Sequence, residues 1–465
     1  MVFSSVVFLF YFLPAFFLLY YLLPWKNTVL LLASLLFYAW GEPRYLPLLL
    51  FVIVLNYGFG LIVGEGRSKR ALLAIGLVAN LGVLAYFKYF GFLCASLDTV
   101  LNSLRLPALA IPQIALPLGI SFFTFQGMSY LIDVYRGDVA AQPSLLKYAM
   151  YKAMFPQLVA GPIVRYAQVA HEVDHRSIDA ARVEKGVTLF IVGLAQKVLI
   201  ANTVAAPVDK IFALPTAELA PEVAWFGALG YALQIYFDFC GYSNMAIGMG
   251  HMMGFTFPRN FDRPYASQSV TEFWRRWHMT LSSWFRDYLY IPLGGNRRGP
   301  LKTYFNLLAV FFLCGLWHGA SWTFVIWGLY HGAFLVVERL GIGGMLAKLH
   351  PLLRHAYLIL VVIIGWVFFR SDTLGHAISY LHAMVANGGD RDLAPIVRFV
   401  VPSTILAVAA GCLLAVTPLP DLQRPTKEWT PGWRPATSAF CLAMLALSAV
   451  SLAAGTYNPF IYFRF

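Results

Sequence analysis

Long apolar stretches recur along the whole chain, and they limit its possible folds more than any other feature. A helix needs about 20 mainly apolar residues to cross a bilayer. Such stretches lie near residues 4–23, 28–40, 45–63, 71–90, 145–162, 186–206, 223–253, 303–338, 355–370, 399–417 and 437–456. The sequence therefore predicts an all-α integral membrane protein with about ten to twelve transmembrane helices, plus re-entrant and interfacial segments.

The amino-acid composition agrees with a bilayer environment. Hydrophobic residues make up 59% of the 465 residues and charged residues only 12%, whereas soluble domains average about 25% charged residues. Because so few charges cannot give a protein of this size a polar surface, most of its apolar surface must face lipid. The segment 1–26 lacks a basic region and a small-residue cleavage site, which favours a retained first span over a removed signal peptide.

Two apolar stretches do not fit a single upright helix. The run from Thr303 to Val337 contains no Asp, Glu, Lys or Arg and is too long for one crossing. We expect two shorter helices, broken near His318 to Ser321. The stretch 115–137 is apolar but carries several polar side chains, which favours a re-entrant or cavity-lining segment. These side chains include Ser121, Thr124, Gln126, Ser129 and Asp133.

The charge is strongly basic. Lys and Arg outnumber Asp and Glu by 34 to 22, a net charge of +12. In a membrane protein this excess indicates cytoplasmic loops that contact anionic lipid, not nucleic-acid binding. Arg67, Lys69 and Arg70 predict a cytoplasmic loop and an outside N-terminus, and segment 259–302 predicts the main basic interfacial surface on the cytoplasmic side. No repeat is visible, so residues 1–465 are predicted to form a single polytopic domain.

The sequence lacks the motifs of several common kinds of enzyme and metal site. None of the five cysteines belongs to a CxxC pair, so neither a disulfide framework nor a zinc site is indicated. No P-loop, Rossmann fingerprint, HExxH or GxSxG occurs in a usable context. We therefore expect no bound metal, and no hydride, nucleotide-hydrolysis or zinc-protease chemistry.

The basic segment contains an amphipathic pattern, VTEFWRRWHMTLSSWFRDYLY. At the helical period its aromatic and aliphatic residues share one arc and its charged residues the other, with His278 at the edge. The apolar arc comprises Trp274, Trp277, Leu281, Trp284, Phe285 and Tyr288, and the polar arc Arg275, Arg276, Ser282, Ser283, Arg286 and Asp287. The pattern predicts a helix at the membrane surface or beside a basic cavity, and an interfacial helix without a catalytic role is the simpler alternative.

Two histidines lie inside an apolar stretch that has no Asp, Glu, Lys or Arg. His318 and His331 would be costly to place in lipid, so a function is the first hypothesis for each. The alternative is a neutral histidine bonded to a carbonyl of a neighbouring helix, and for His331 that alternative is favoured. Gly315 and Gly319 flank His318 and would let another helix approach closely.

Other polar positions permit weaker predictions. Asp133, Lys197 and Asp238 are each interpreted as half of a buried pair or as part of a polar route. The loop GGNRRG at 294–299 combines a flexible backbone with two guanidinium groups and could hold phosphates.

Several long motifs together resemble the membrane-bound O-acyltransferase family, in its branch of bacterial alginate O-acetylation membrane subunits. The strongest are FWRRWHMTLSSWFRDYLYIPLGG and GLWHGASW, and the others are PLGISFFTFQGMSYLIDVYRG, FPQLVAGPIVRY, QIYFDFCGYSNMAIG and NPFIYFRF. The resemblance extends from MVFSS at the start to the last residues. It departs at Cys240 and Asn244, where the family usually has Ser and Asp, so a charge at position 244 is in doubt.

The resemblance implies a helical funnel in the bacterial inner membrane, crossed many times by the chain. By analogy His318 is the catalytic histidine and His278 the second active-site histidine. The implied acyl donor is cytosolic, with acetyl-CoA as the donor substrate and no tightly bound cofactor. The implied partners are membrane lipid, periplasmic acetyltransferase proteins and a polysaccharide acceptor such as alginate.

The chemistry of these residues fits acyl transfer. A neutral buried imidazole can take the proton of an acceptor hydroxyl, and His278 or nearby backbone N–H groups could stabilise the oxyanion. Direct transfer and an acyl-histidine intermediate on His318 both remain open. We expect Arg275, Arg276, Arg297 and Arg298 to bind the donor's phosphates, from charge and side alone. The alternatives are transfer of D-alanine or another acyl group to a cell-envelope polymer, a protein or a lipid, and a proton-coupled transporter.

Overall fold

The structure is a computed structural model that describes residues 2–65, 68–385, 396–417, 435–455 and 457–461. Arg67 of the predicted cytoplasmic loop and the last four residues of NPFIYFRF lie outside them. The described residues form helices joined by loops and turns, and no β-strand occurs among them. Backbone contacts group the chain into two compact units, Met1–Asp179 with Met249–Pro258, and Ala180–Gly248 with Arg259–Phe465.

The first unit contains nine helices within its described part. They are α1 (Leu13–Leu22), α2 (Lys26–Gly41), α3 (Leu46–Glu65), α4 (Lys69–Leu84), α5 (Phe90–Ser103), α6 (Ile120–Arg136), α7 (Leu145–Ala153), α8 (Phe155–Leu158) and α9 (Tyr166–Asp174). A π-helical turn precedes α1 at Phe8–Phe12, and another joins α4 to α5 at Ala85–Tyr89.

The second unit supplies the remaining helices of the described chain. They are α10 (Ala180–Ala195), α11 (Asn202–Phe212), α12 (Pro221–Met253), α13 (Val270–Arg276), α14 (Met279–Phe285), α15 (Pro300–His318), α16 (Trp322–Val337), α17 (Gly343–Leu346), α18 (Pro351–Arg370), α19 (Leu374–Ala383), α20 (Pro402–Val416) and α21 (Pro435–Ala453). Helix α12 runs on beyond Gly248 into the first unit.

The prediction of an all-helical membrane protein is confirmed. Seven helical segments of the described chain are long and apolar enough to cross a bilayer: Pro43–Glu65, Lys69–Ser103, Ala180–Phe212, Pro300–His318, Trp322–Leu346, Pro351–Arg370 and Pro435–Ala453. Phe8–Leu22 and Pro402–Val416 are shorter apolar helices. The chain is therefore a multi-pass membrane protein, and the figure of ten to twelve crossings stays a prediction.

The long uncharged run does form two helices, α15 and α16, as its length predicts. The break falls at Gly319, whose backbone is extended and ends α15. Gly315 and Gly328 let the two helices touch: an added Cβ at Gly315 would lie 2.3 Å from the Phe324 carbonyl oxygen, and one at Gly328 would lie 2.2 Å from that of Phe311. This contact fixes the end of α15, where His318 lies.

Two other stretches pack inside the protein. Helix α6 is buried over almost its whole length against α3 and α4, in agreement with the polar residues of segment 115–137. The prediction of a single membrane-crossing helix over 145–162 is wrong. This segment divides at Met154 into α7 and α8, which are buried and too short to cross a bilayer.

Lys197 and Asp238 pair with each other, so the simpler interpretation of both residues is confirmed. Lys197 Nζ lies 2.5 Å from Asp238 Oδ1, and both side chains are buried. Lys197 also donates to the carbonyl of Pro459, and the other carboxylate oxygen accepts the N–H of Ile461 at 2.9 Å. The pair therefore anchors the C-terminal segment on α12.

The family departure at position 244 has a local explanation. The Asn244 amide donates to Gln196 Oε1 at 2.8 Å and to Cys240 Sγ at 3.6 Å. A neutral amide is thus a sufficient donor to Gln196 at this position in this chain.

Candidate active site

The amphipathic segment is not one continuous helix, which corrects the sequence prediction. Helix α13 ends at Arg276, and α14 begins at Met279. Between them Trp277 is extended and His278 has φ +43° and ψ +54°, in the left-handed region. Few residues other than glycine adopt that region, and doing so costs about 1–3 kcal/mol. The corner therefore places His278 where a regular helix would not.

A neighbouring loop causes this break. The N–H of Asp262 donates to the carbonyl of Arg276 at 2.9 Å, and the N–H of Met279 donates to the carbonyl of Asn260 at 2.9 Å. These tertiary bonds use backbone groups that a continuous helix would pair internally. The predicted faces hold except at Tyr288. Trp274, Trp277, Leu281, Trp284 and Phe285 are buried, whereas Tyr288 and the residues of the polar arc are at least partly exposed.

His278 is buried and held through one ring nitrogen. Only 1% of the surface of His278 is exposed, and its Nδ1 lies 3.0 Å from Asn260 Oδ1. Nε2 has no hydrogen-bond partner within the described residues. His278 lies outside the candidate membrane spans. Burial and the nearby His318 lower the pKa of His278 well below its usual range, so this imidazole is neutral near pH 7.

His318 is the last residue of α15 and is 4% exposed. Aromatic rings surround its imidazole: the ring centroids of Trp317, Trp327 and Phe369 lie 5.0, 5.1 and 5.2 Å away. Trp317 in turn contacts the His278 ring at 5.8 Å. The two histidines predicted as catalytic are thus brought together by an aromatic cluster.

Both histidines line one cavity of about 540 Å³. Its walls come from α13 with the residue before it, α14, the π-helical turn Arg286–Tyr290, the loop 294–299, α15, the end of α16 and the chain after α16. The lining residues are Ser269, Thr271, Trp274, Arg275, His278, Leu281, Ser282, Phe285, Arg286, Tyr290, Asn296, Leu307, Val310, Phe311, Cys314, His318, Leu335, Glu338, Arg339 and Gly343. A cavity of this size can admit a thioester and part of its carrier.

The lining changes from exposed and basic to buried and neutral. Arg275, Arg286 and Arg339 are exposed, and we call these three residues the basic mouth. His278 and His318 lie at the buried part of the lining. A negatively charged ligand would be attracted to the mouth, and its reactive end would reach the histidines in a region of low dielectric constant.

Of the four arginines predicted to bind phosphate, one lines the cavity and three do not. Arg275 lines the cavity. Arg276 instead pairs with Glu272 at 2.7 Å, and Arg297 and Arg298 are exposed and do not belong to the cavity lining. In the loop 294–299 it is Asn296, not either arginine, that lines the cavity. Phosphate binding by these four residues stays a prediction.

Glu338 is a site residue that the sequence did not indicate. Its buried carboxylate accepts the N–H of Val270 at 2.7 Å, the N–H of Thr271 at 2.9 Å and the Thr271 hydroxyl at 2.6 Å. These groups lie at the N-terminus of α13, where backbone donors lack helical partners and negative charge is stabilising. Glu338 thereby ties α13 to the chain that follows α16, and no local signal could have shown it.

His331 lies outside the cavity lining. Its ring packs against Trp274 and Trp327 at 5.0 and 5.3 Å, and an added Cβ at Gly365 would meet its Nε2 at 2.5 Å. The carbonyl partner that the sequence favoured is not found within the described residues. Aromatic packing accounts for the position of His331.

The described residues contain no group of three or more His, Cys, Asp or Glu side chains able to hold a metal ion. The cavity lining includes two imidazoles, three guanidinium groups, the Glu338 carboxylate, the Tyr290 phenol and the Cys314 thiol. Neutral imidazoles can accept and return a proton, and guanidinium groups can bind phosphate.

Comparison with known proteins identifies relatives over the full chain. Residues 138–370, which include both histidines, match the profile described as MBOAT, membrane-bound O-acyltransferase family. A protein named probable alginate O-acetylase AlgI from Pseudomonas putida is 43% identical over 100% of both chains. The peptidoglycan O-acetyltransferase of Helicobacter pylori is 37% identical over 84% of this chain and 80% of its own. The teichoic acid D-alanyltransferase of Bacillus subtilis is 29% identical over 55% of this chain and 70% of its own.

Proposed function

Because this chain belongs to the membrane-bound O-acyltransferase family, we propose that it takes an acetyl group from a cytosolic donor and passes it across the bacterial inner membrane to O-acetylate an exported polysaccharide. One observation carries the proposal: two buried histidines, His278 and His318, share one cavity whose exposed part is lined by arginines. The proposed localisation is the inner membrane, and periplasmic acetyltransferase proteins are the proposed partners that complete the transfer.

The relatives favour acetyl over D-alanyl transfer. Two of them, from P. putida and H. pylori, carry the names of O-acetylating enzymes and align with most or all of this chain. The D-alanyltransferase aligns with about half of it, at lower identity. An alginate-like polysaccharide is therefore the proposed acceptor, in keeping with the full-length relative.

Within this chain, the proposed chemical step uses groups of this cavity, the acyl donor and an acceptor hydroxyl. The acceptor oxygen attacks the acetyl carbonyl carbon, so a C–O bond forms and the thioester C–S bond breaks. The histidine pair takes the hydroxyl proton and returns it to the departing thiolate. Because the cavity is lined mainly by apolar and aromatic groups, charges that develop there interact more strongly than they would in water.

Acetyl-CoA is the proposed donor, and the basic mouth supports it. The donor's phosphates are multiply charged, and guanidinium groups bind phosphate with two parallel hydrogen bonds. Arg275, Arg286 and Arg339 come from separate parts of the chain yet line one cavity. We propose that they hold the phosphates while the acetyl group lies near the histidines. The sequence prediction for Arg276, Arg297 and Arg298 rests on charge alone.

The proposal can be tested with the purified protein in liposomes. Radiolabelled acetyl-CoA is supplied on one side, and alginate or peptidoglycan with a membrane-protein extract of the host on the other. Label in an alginate fraction, with less in peptidoglycan, is the expected result. Transfer only from a D-alanyl donor, or no acyl transfer to any acceptor or to the protein, would contradict the proposal.

A further inference from the structure

Asn260 contacts the His278 ring from the loop that precedes α13. Asn260 is 1% exposed, and its Oδ1 lies 3.0 Å from His278 Nδ1. The same residue holds the corner through its backbone, since its carbonyl accepts the N–H of Met279 at 2.9 Å. Asn260 therefore supports both the left-handed backbone of His278 and the orientation of its imidazole.

The orientation of the Asn260 amide follows from its other partners. The backbone N–H of Thr280 lies 3.3 Å from Oδ1, and the Thr280 hydroxyl lies 2.9 Å from the same atom. A backbone N–H can only donate, so the atom that faces it must be the amide oxygen. On the opposite side, Nδ2 donates to the Ser243 hydroxyl at 3.0 Å. Ser243 belongs to the GYSN stretch of α12.

The amide orientation determines which imidazole nitrogen carries the proton. Because Asn260 presents an oxygen, His278 Nδ1 must donate a hydrogen to it. In a neutral imidazole the other nitrogen, Nε2, is then an acceptor with a lone pair. His278 lines the cavity, and Nε2 is the nitrogen with no hydrogen-bond partner in the described structure.

We propose that Asn260 is a positioning residue that holds His278 in the Nδ1–H tautomer, so that the neutral ring offers the cavity a proton acceptor and not a hydrogen-bond donor. The tautomer of His278 is inferred from the hydrogen-bond geometry alone, whereas the use of that tautomer in acyl transfer rests on the proposed function. Of the two roles open to His278, base or oxyanion donor, the first is assigned.

The assignment gives the proton a defined route. The acceptor hydroxyl proton moves to His278 Nε2 as the C–O bond forms, and the same proton leaves with the thiolate when the C–S bond breaks. The ring becomes an imidazolium between these steps, with Nδ1–H still bonded to Asn260. The charged or titratable groups that line the cavity with His278 are Arg275, Arg286, Tyr290, Cys314, His318, Glu338 and Arg339.

Nitrogen-15 NMR of histidine-labelled protein tests the tautomer without any assay of activity. The His278 signal is identified by its loss in His278→Asn. We expect a protonated Nδ1 and an unprotonated Nε2 in the unsubstituted protein, and a shift toward the Nε2–H form in Asn260→Leu. Protonation at Nε2 in the unsubstituted protein would overturn the inference, whatever the enzyme's reaction proves to be.

Kinetics test the positioning role. Asn260→Leu should lower kcat by about 10–100-fold, as loss of such supporting hydrogen bonds does elsewhere. Asn260→Asp keeps the acceptor and should restore most of the rate, with the acid limb of the kcat/KM profile moved to higher pH because a carboxylate favours the imidazolium. Asn202→Leu is the control, because that buried asparagine pairs with Asn458 and not with a histidine.

Two results would contradict the positioning role. One is a wild-type kcat in Asn260→Leu, and the other is an Asn260→Asp profile whose acid limb does not move. If Asn260→Leu does not fold, the NMR of the unsubstituted protein and the profile of Asn260→Asp decide the question.

Discussion

Individual arginines define the polar part of the cavity. Arg275 belongs to α13, Arg286 to the π-helical turn after α14, and Arg339 to the chain after α16. Asp287 pairs with Arg286 at 2.7 Å, but Arg286 remains exposed. Surface ion pairs of this kind contribute about 0–1 kcal/mol, so Arg286 is available to a stronger anionic ligand.

Removing two mouth arginines should weaken donor binding more than it slows the chemical step. In Arg275→Gln with Arg286→Gln we expect the KM for acetyl-CoA to rise about 10-fold or more, with a smaller change in kcat, since phosphate contacts act on the bound donor at a distance from the reacting carbonyl. Steady-state kinetics in liposomes measures both constants. Lys69→Gln with Arg70→Gln removes the same charge from the exposed first turn of α4 and is the control. An equal KM in the two double variants would rule out the basic mouth.

At this scale the sequence identifies some site residues and misses others for a physical reason. His318 is conspicuous because an ionisable side chain in an uncharged apolar run is costly. Asn260, Glu338 and Arg339 have no such local signal, since each acts through a contact with a distant part of the chain. Periodicity correctly predicts that Arg286 lies on the polar face of its segment. It does not predict that Arg286 lines the cavity, because the segment changes direction at His278.

The α15–α16 pair is the element that fixes His318. Gly315 and Gly328 face each other with Cα atoms in close contact: an added Cβ at Gly328 would lie 3.2 Å from the Gly315 Cα. Small residues permit this approach, and van der Waals contact between backbones then holds the helices together in lipid. The C-terminal part of α15, which carries His318, is therefore held directly against α16.

A methyl group between these helices should displace His318. Gly328→Ala would place Cβ 2.2 Å from the Phe311 carbonyl oxygen, so the helices must separate. We expect a loss of about 1–3 kcal/mol in stability and a lower kcat, measured by thermal unfolding in detergent and by acetyl transfer. Gly375→Ala is the control, because nothing lies within 4 Å of its added Cβ. Wild-type stability and rate in Gly328→Ala would show that the contact is not needed.

Element prediction succeeds where one local property decides the structure. Length and lack of charge predict the break between α15 and α16, and periodicity predicts which face of the α13–α14 segment is buried. Periodicity could not predict the break at His278, because backbone bonds from residues 260 and 262 create it. The same limit applies to 145–162, where apolar composition suits a buried pair of short helices as well as a crossing.

For the whole molecule, the apolar composition indicates a bilayer environment, and the proposed acyl-transfer chemistry depends on a few side chains. The chain has 59% hydrophobic residues, and seven of its described helical segments are able to span a bilayer. Within that apolar protein, His278 and His318 share a cavity and His331 does not. The central claim is that the shared cavity, and not intramembrane histidine in general, performs acyl transfer.

The most direct test compares two histidines of the same helical pair. His318→Asn and His331→Asn are purified, reconstituted in liposomes and supplied with radiolabelled acetyl-CoA, alginate and the host extract. We expect His318→Asn to insert normally and lose acetyl transfer by at least about 100-fold, because one member of the histidine pair that carries out proton transfer is then missing. His331→Asn should retain transfer within a few-fold of the unsubstituted protein. Unchanged transfer in His318→Asn would contradict the account.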